Sequence, residues 1–165
     1  MALRRWLLAA VAVPLVASFV MVAWDFCLDP IASTINHAWI WKDGGGYFGV
    51  PFSNYLGWSF TVYIFFQLFA LYRRKRGVED LSRALPAAHY LQAIILYLWT
   101  GVGFVLGYLF MSPSTYVTDA AGHSWTTGDI FESMAISAIY TMIFISILAL
   151  AVLYRDQLMQ KRVAA

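Results

Sequence analysis

The sequence predicts an all-α polytopic membrane protein, a bundle of four transmembrane helices with an irregular Gly- and Trp-rich cap loop. Three observations carry this reading. Of 165 residues, 61% are hydrophobic and 12% charged, against about 45–50% and about 25% in soluble domains. Four apolar runs, 6–24, 55–72, 91–111 and 130–154, approach or exceed the roughly 20 residues that a helical crossing needs. Ten of the eleven cations fall on one side of the layout that these runs create. Four crossings fill the length, so residues 1–165 read as a single integral-membrane domain.

The first run follows Arg4 and Arg5, as the apolar part of a signal peptide would. A signal-peptide core is about 7–15 residues long, whereas this run is longer and lacks a following A-x-A site, so it reads as a span. The connection Asp29 to Asn54 leads to the second run. The next connection carries Arg73, Arg74, Lys75, Arg76 and Arg83, and the fourth run is followed by Arg155, Lys161 and Arg162. Only Lys42 lies on the other side. By the positive-inside rule both termini and the basic loop are cytoplasmic, with the chain in the cell (cytoplasmic) membrane. The basic run reads as a topology anchor that also meets anionic membrane lipids. A net charge of +2, segregated in this way, gives no reason to expect a nucleic-acid partner. Trp6, Trp24, Tyr55, Trp58, Tyr72 and Tyr154 sit where spans meet the interface and read as belt anchors. Gly103 and Gly107 form a small-xxx-small pair that predicts close helix packing through the third span.

The chemistry concentrates at the other end. Cys27 is the lone cysteine, His37, His89 and His123 are far apart, and no Cys/His pair has zinc-site spacing, so the sequence points to no metal and no other cofactor. Six of the nine acids, Asp25, Asp29, Asp43, Asp119, Asp129 and Glu132, lie at or near the non-cytoplasmic end. Asp25 and Asp29 would share a face if the first helix continued. Pro30 biases the residue before it away from helix, so the reading places Asp29 at the exit. An ionisable residue in a span is by default a functional hypothesis, and Asp25 is the first candidate. Asp129-Ile130-Phe131-Glu132 resembles a capping box with Asp129 at the helix start, while Glu132, just inside the apolar run, is a further candidate acid. Gly44 to Gly49 matches G-x-G-x-x-G literally, but no strand precedes it and Pro51 follows, so it lacks the context of a dinucleotide site. Its glycines serve tight turns, and Pro51 and Asn54 set up the start of the second span. Residues 29–58 thus read as a folded cap over the bundle.

Asp25-Phe-Cys-Leu-Asp29-Pro30, Trp39-Ile-Trp41 and Gly46-Tyr47-Phe-Gly-Val-Pro51-Phe-Ser-Asn54-Tyr55-Leu-Gly57-Trp58 together resemble the signature of the membrane carotenoid hydratase family, which includes the bisanhydrobacterioruberin hydratases. The likeness covers residues 25–58. It implies a hydro-lyase that adds water to the terminal double bond of an acyclic carotenoid, a lipid-soluble polyene arriving from the bilayer. On this resemblance Asp25 is the general acid, because a carboxyl in an apolar site stays protonated. Asp29 orients the water or takes its proton, and Glu132 is a third catalytic candidate. Trp39, Trp41, Tyr47, Asn54 and Trp58 form the substrate site, with indole faces stabilising a carbocation. A cyclase or isomerase would begin from the same protonated alkene. Family members are longer, with further spans before the matched part, which implies a membrane partner carrying the missing half. The alternative is a non-catalytic subunit or truncated relative that serves such a partner. A proton-relaying transporter fits less well, since neither an internal repeat nor paired broken helices are present.

Overall fold

In hydrocarbon, backbone N–H and C=O groups have no water to bond, and apolar runs satisfy them internally as helix. The computed structural model of the chain, which describes residues 2–76, 85–110 and 113–164, does this four times. Helix α1 (Ala2–Pro30) continues through a π turn, Ile31–Ile35, and is followed by α2 (Phe52–Lys75) and α3 (Ala87–Leu109). A hairpin of β1 (Tyr116–Thr118) and β2 (Ser124–Thr126) then leads into α4 (Thr127–Ala138), which runs through a second π turn, Ile139–Ile143, into α5 (Phe144–Ala164). Four stretches are long and apolar enough to cross a membrane: Ala10–Ile35, Phe52–Lys75, Ala87–Leu109 and Thr127–Met159. The expected all-α membrane bundle is the observed one. Arg83 lies outside the described residues, as do the side chains of Arg4, Arg5, Trp6, Lys161 and Arg162.

The first span differs from the sequence reading. Asp29 does not mark an exit, because Pro30 adopts helical angles (φ −62°, ψ −37°) and the chain stays helical to Ile35. A proline inside a helix removes one N–H and strands the carbonyl four residues earlier. Here that carbonyl belongs to Phe26, and the Tyr47 hydroxyl donates to it at 3.1 Å. Beyond Pro30 the ladder widens by one residue, with the Asn36 N–H bonding the Ile31 carbonyl at 2.9 Å.

α1 packs on α2 and α4, and α3 packs on α4, the second π turn and α5. The buried core is small and lies toward the capped end. One cluster is Val22, Val50 and Tyr55, flanked by Trp41 and Tyr47. The other is Cys27, Ala138 and Met142, flanked by Trp24, Tyr97 and Phe104. Large apolar side chains such as Phe65, Trp99 and Phe144 face outward, as a lipid-facing surface requires. The close helix approach runs through Gly101 instead of the Gly103–Gly107 pair. A Cβ on Gly101 would lie 3.0 Å from the Cβ of Met142 in the π turn, whereas Gly103 has open space and Gly107 meets only the Phe131 ring at 3.6 Å.

The hairpin adds two short antiparallel strands where the sequence reading has only a connection. It also moves the helix cap. Thr126, extended at the end of β2, accepts the Asp129 N–H at 3.0 Å, so Asp129 sits inside the first turn of α4 and is not its cap. The neighbouring donors are also used: Thr127 N–H bonds the Thr115 carbonyl and Gly128 N–H bonds Ser114 Oγ. The first-turn amides of α4, which a helix leaves without internal partners, are thereby satisfied before the chain enters the membrane.

Candidate active site at the capped end of the bundle

Continuing α1 through Pro30 puts Asp25 and Asp29 on one helical face, about 5–6 Å apart at their Cβ atoms as i, i+4 neighbours. The first turns of α2 set Asn54 and Trp58, also i, i+4, opposite them. Residues 36–51 form a strap across this end and bring in Trp39, Ile40 and Trp41. These residues and Leu28 line one cavity of about 390 Å³. Six of the eight residues named from the sequence therefore meet: Asp25, Asp29, Trp39, Trp41, Asn54 and Trp58.

The two carboxyls have different surroundings. Asp29 is buried, and its Oδ2 accepts the Asn54 side-chain amide at 2.5 Å. Asn54 is thus not a helix cap; Pro51 precedes the helix and contributes no side-chain cap. Asp25 is half-buried, and among the described residues neither a hydrogen bond nor a cation reaches its carboxyl. Lys42, the one cation at this end of the sequence, is exposed and pairs with neither aspartate. The walls are apolar and aromatic. Trp39 and Trp58 are part exposed, at 39% and 49%. Trp41 Nε1 and the Tyr55 hydroxyl are buried donors without a partner among the described residues.

Tyr47 and Glu132 do not line the cavity. Tyr47 lies behind it, stacked edge-on against Phe26 and Tyr55 at 6.0 and 5.7 Å between centroids. Burial raises its phenol above the ordinary value, and its hydroxyl stays protonated as the donor to Phe26. Glu132 is exposed on α4. Its helix begins at the hairpin, and the cavity draws its walls from α1, α2 and the strap alone.

The model of the carotenoid biosynthesis protein family matches residues 2–118. The chain belongs to that family. Its role is in carotenoid biosynthesis. The matched stretch contains every residue that lines the cavity of this carotenoid biosynthesis protein. Neither the curated proteins nor the solved structures contain a match to the chain.

Sequence reasoning passed over two parts of the site. Leu28 and Ile40 supply apolar wall, which no motif distinguishes from ordinary span residues. Asp119, counted only as one of the outer acids, is the hub of the hairpin: its Oδ1 accepts the N–H groups of Ala121 and His123, each at 2.9 Å, and its Oδ2 meets His123 Nδ1 at 3.1 Å and accepts Trp125 Nε1 at 3.2 Å. Burial alone would push this carboxyl up, but these bonds outweigh it and hold Asp119 below the usual carboxylate range. The signal was the Asp119-x-x-Gly122 turn, in which Gly122 has φ +88°. Phe48 stacks edge-on against Trp125 at 5.3 Å and ties the strap to this hairpin.

Proposed function

We propose that this carotenoid biosynthesis protein adds water across the terminal double bond of an acyclic carotenoid, with Asp25 as general acid. The observation that carries the reading is the shared cavity: two carboxyls a turn apart, only one of them hydrogen-bonded, inside an aromatic wall on membrane-spanning helices. Protonating an unactivated alkene needs a proton donor without a counter-cation beside it, and Asp25 has none among the described residues. Its proton goes to the less substituted alkene carbon and leaves a tertiary cation, which the π-faces of Trp39 and Trp58 stabilise. Water adds to the cation and gives its extra proton to Asp29, the carboxylate that Asn54 orients. Transfer of that proton to Asp25 along the same helix face restores both groups. The polyene chain is expected along the exposed stripe that continues from Trp58 through Phe65, Phe69 and Tyr72 on α2. Glu132, exposed on α4, has no part in this scheme.

We place both termini on the cytoplasmic side, because the last turn of α2 carries Arg73, Arg74 and Lys75 while the strap and hairpin occupy the opposite end. The test is pigment analysis by chromatography and mass spectrometry, after expression in a bacterium that accumulates an acyclic carotene. The expected product is heavier by one water. Unchanged carotene despite confirmed membrane insertion, with product restored by co-expressing a membrane partner that carries the further spans of longer relatives, assigns the subunit reading. Unchanged carotene in both cases overturns hydration.

A further inference from the structure

Two cavities meet at the capped end and differ in character. Beside the carboxyl cavity lies a smaller one of about 130 Å³, whose lining includes Ser33, Thr34, His37 and Asp119. It belongs to the end of α1, the strap and the hairpin. Only Ile40 and Trp41 line both cavities. Ile40 is 62% exposed, so the less exposed Trp41 forms the body of the wall. The smaller chamber is tightly built. Thr34 Oγ1 donates to the Phe48 carbonyl, and a Cβ on Gly49 (φ +84°) would fall 2.7 Å from Thr34 Oγ1 and 2.9 Å from Asp119 Cβ. Two non-glycine residues here, His37 and Phe48, have φ of 52° and 50°. Such backbone strain persists only where the surroundings over-determine it, and it clusters at functional sites.

A hydration site must admit one water to an apolar chamber and keep bulk solvent out. We propose that Trp41 is a positioning residue whose indole ring parts a polar water chamber, built on Ser33, Thr34, His37 and Asp119, from the apolar carboxyl chamber, so that water reaches Asp29 only past this wall. The smaller chamber has room for several waters, since one needs on the order of 10–15 Å³ for its centre. The purpose of the device rests on the hydration reading; the partition itself does not.

The test uses the full chain in lipid nanodiscs with Cys27→Ala as background and a charged, membrane-impermeant thiol reagent. His37→Cys, at an exposed position of the smaller chamber, is expected to react at the same rate whichever residue occupies position 41. Leu28→Cys, which lines the carboxyl chamber and is 38% exposed, is expected to react several-fold faster with Trp41→Ala than with Trp41 or Trp41→Phe. Trp41→Leu replaces Trp41→Ala if the latter does not insert. Equal rates at Leu28→Cys across these variants overturn the partition. In the pigment assay Trp41→Phe, which keeps the wall, is expected to retain hydration and Trp41→Ala to lose most of it; full hydration by Trp41→Ala overturns the role of the wall. A wild-type chain that adds no water overturns the hydration reading, while the labelling rates still decide the partition.

Discussion

The Tyr47 hydroxyl donates to the Phe26 carbonyl, the acceptor that Pro30 deprives of its helical partner. This bond ties the strap to α1 at the point where a proline would otherwise leave a backbone carbonyl without a protein partner. The Phe26 and Tyr55 rings, stacked at 4.5 Å and 18°, complete the joint between strap, α1 and α2. Tyr47→Phe keeps the rings and removes the bond, so it is expected to cost about 0.5–1.5 kcal/mol. Thermal unfolding in detergent measures this, and a loss no larger than that of Tyr63→Phe, a half-buried tyrosine on α2, would contradict it.

Asp25→Asn is expected to abolish the hydrated product while the protein inserts normally. The substitution keeps the shape of the side chain and removes the acidic proton. Chromatography of extracted pigment checks it, and wild-type turnover by the variant would remove Asp25 as the acid.

Asn54→Ala leaves the buried Asp29 carboxyl without its donor. Loss of one partner from a buried polar pair costs about 1–3 kcal/mol. The effect on unfolding is expected to be mostly absent when Asp29→Ala is already present. A double-mutant cycle with no coupling between the two positions would show that the 2.5 Å contact contributes nothing.

The hairpin is expected to loosen in acid. Asp119 is held below its ordinary range, so its contribution is fully present above the unfolded value of about 3.9 and is lost as pH falls through the lower folded value. Trp125 donates to this carboxyl, and its fluorescence reports the transition. Asp119→Asn is expected to flatten the pH dependence; an unchanged profile would assign it to other groups.

Gly101→Leu is expected to destabilise the bundle, because even a Cβ at this position meets Met142 at 3.0 Å and Ile143 at 3.2 Å. Overpacking of this kind typically costs about 1–3 kcal/mol. Gly103→Leu, which faces open space, is expected to cost little. Equal unfolding temperatures for the two variants would contradict the Gly101 contact.

The sequence by itself determined the membrane class, the number of spans and most of the residues that line the cavity, because hydropathy, backbone satisfaction in lipid and the strings Asp25 to Pro30, Trp39 to Trp41 and Gly46 to Trp58 are local properties of the chain. Glu132 looked equivalent to these acids in one dimension, since both lie near a span end. Only the tertiary structure decided which of them line the cavity: α1 and α2 pack together under the strap, and Glu132 faces outward from a helix that starts at the hairpin. The exit of α1 was decided the same way. A proline is a local signal to stop, but here the helix passes through Pro30, and Tyr47, 17 positions later, supplies the missing hydrogen bond. The cap of α4 and the close approach at Gly101 likewise depend on what packs opposite, a strand end in one case and a π turn in the other. Propensities of single residues do not contain those partners, because packing pairs residues that are distant in the chain.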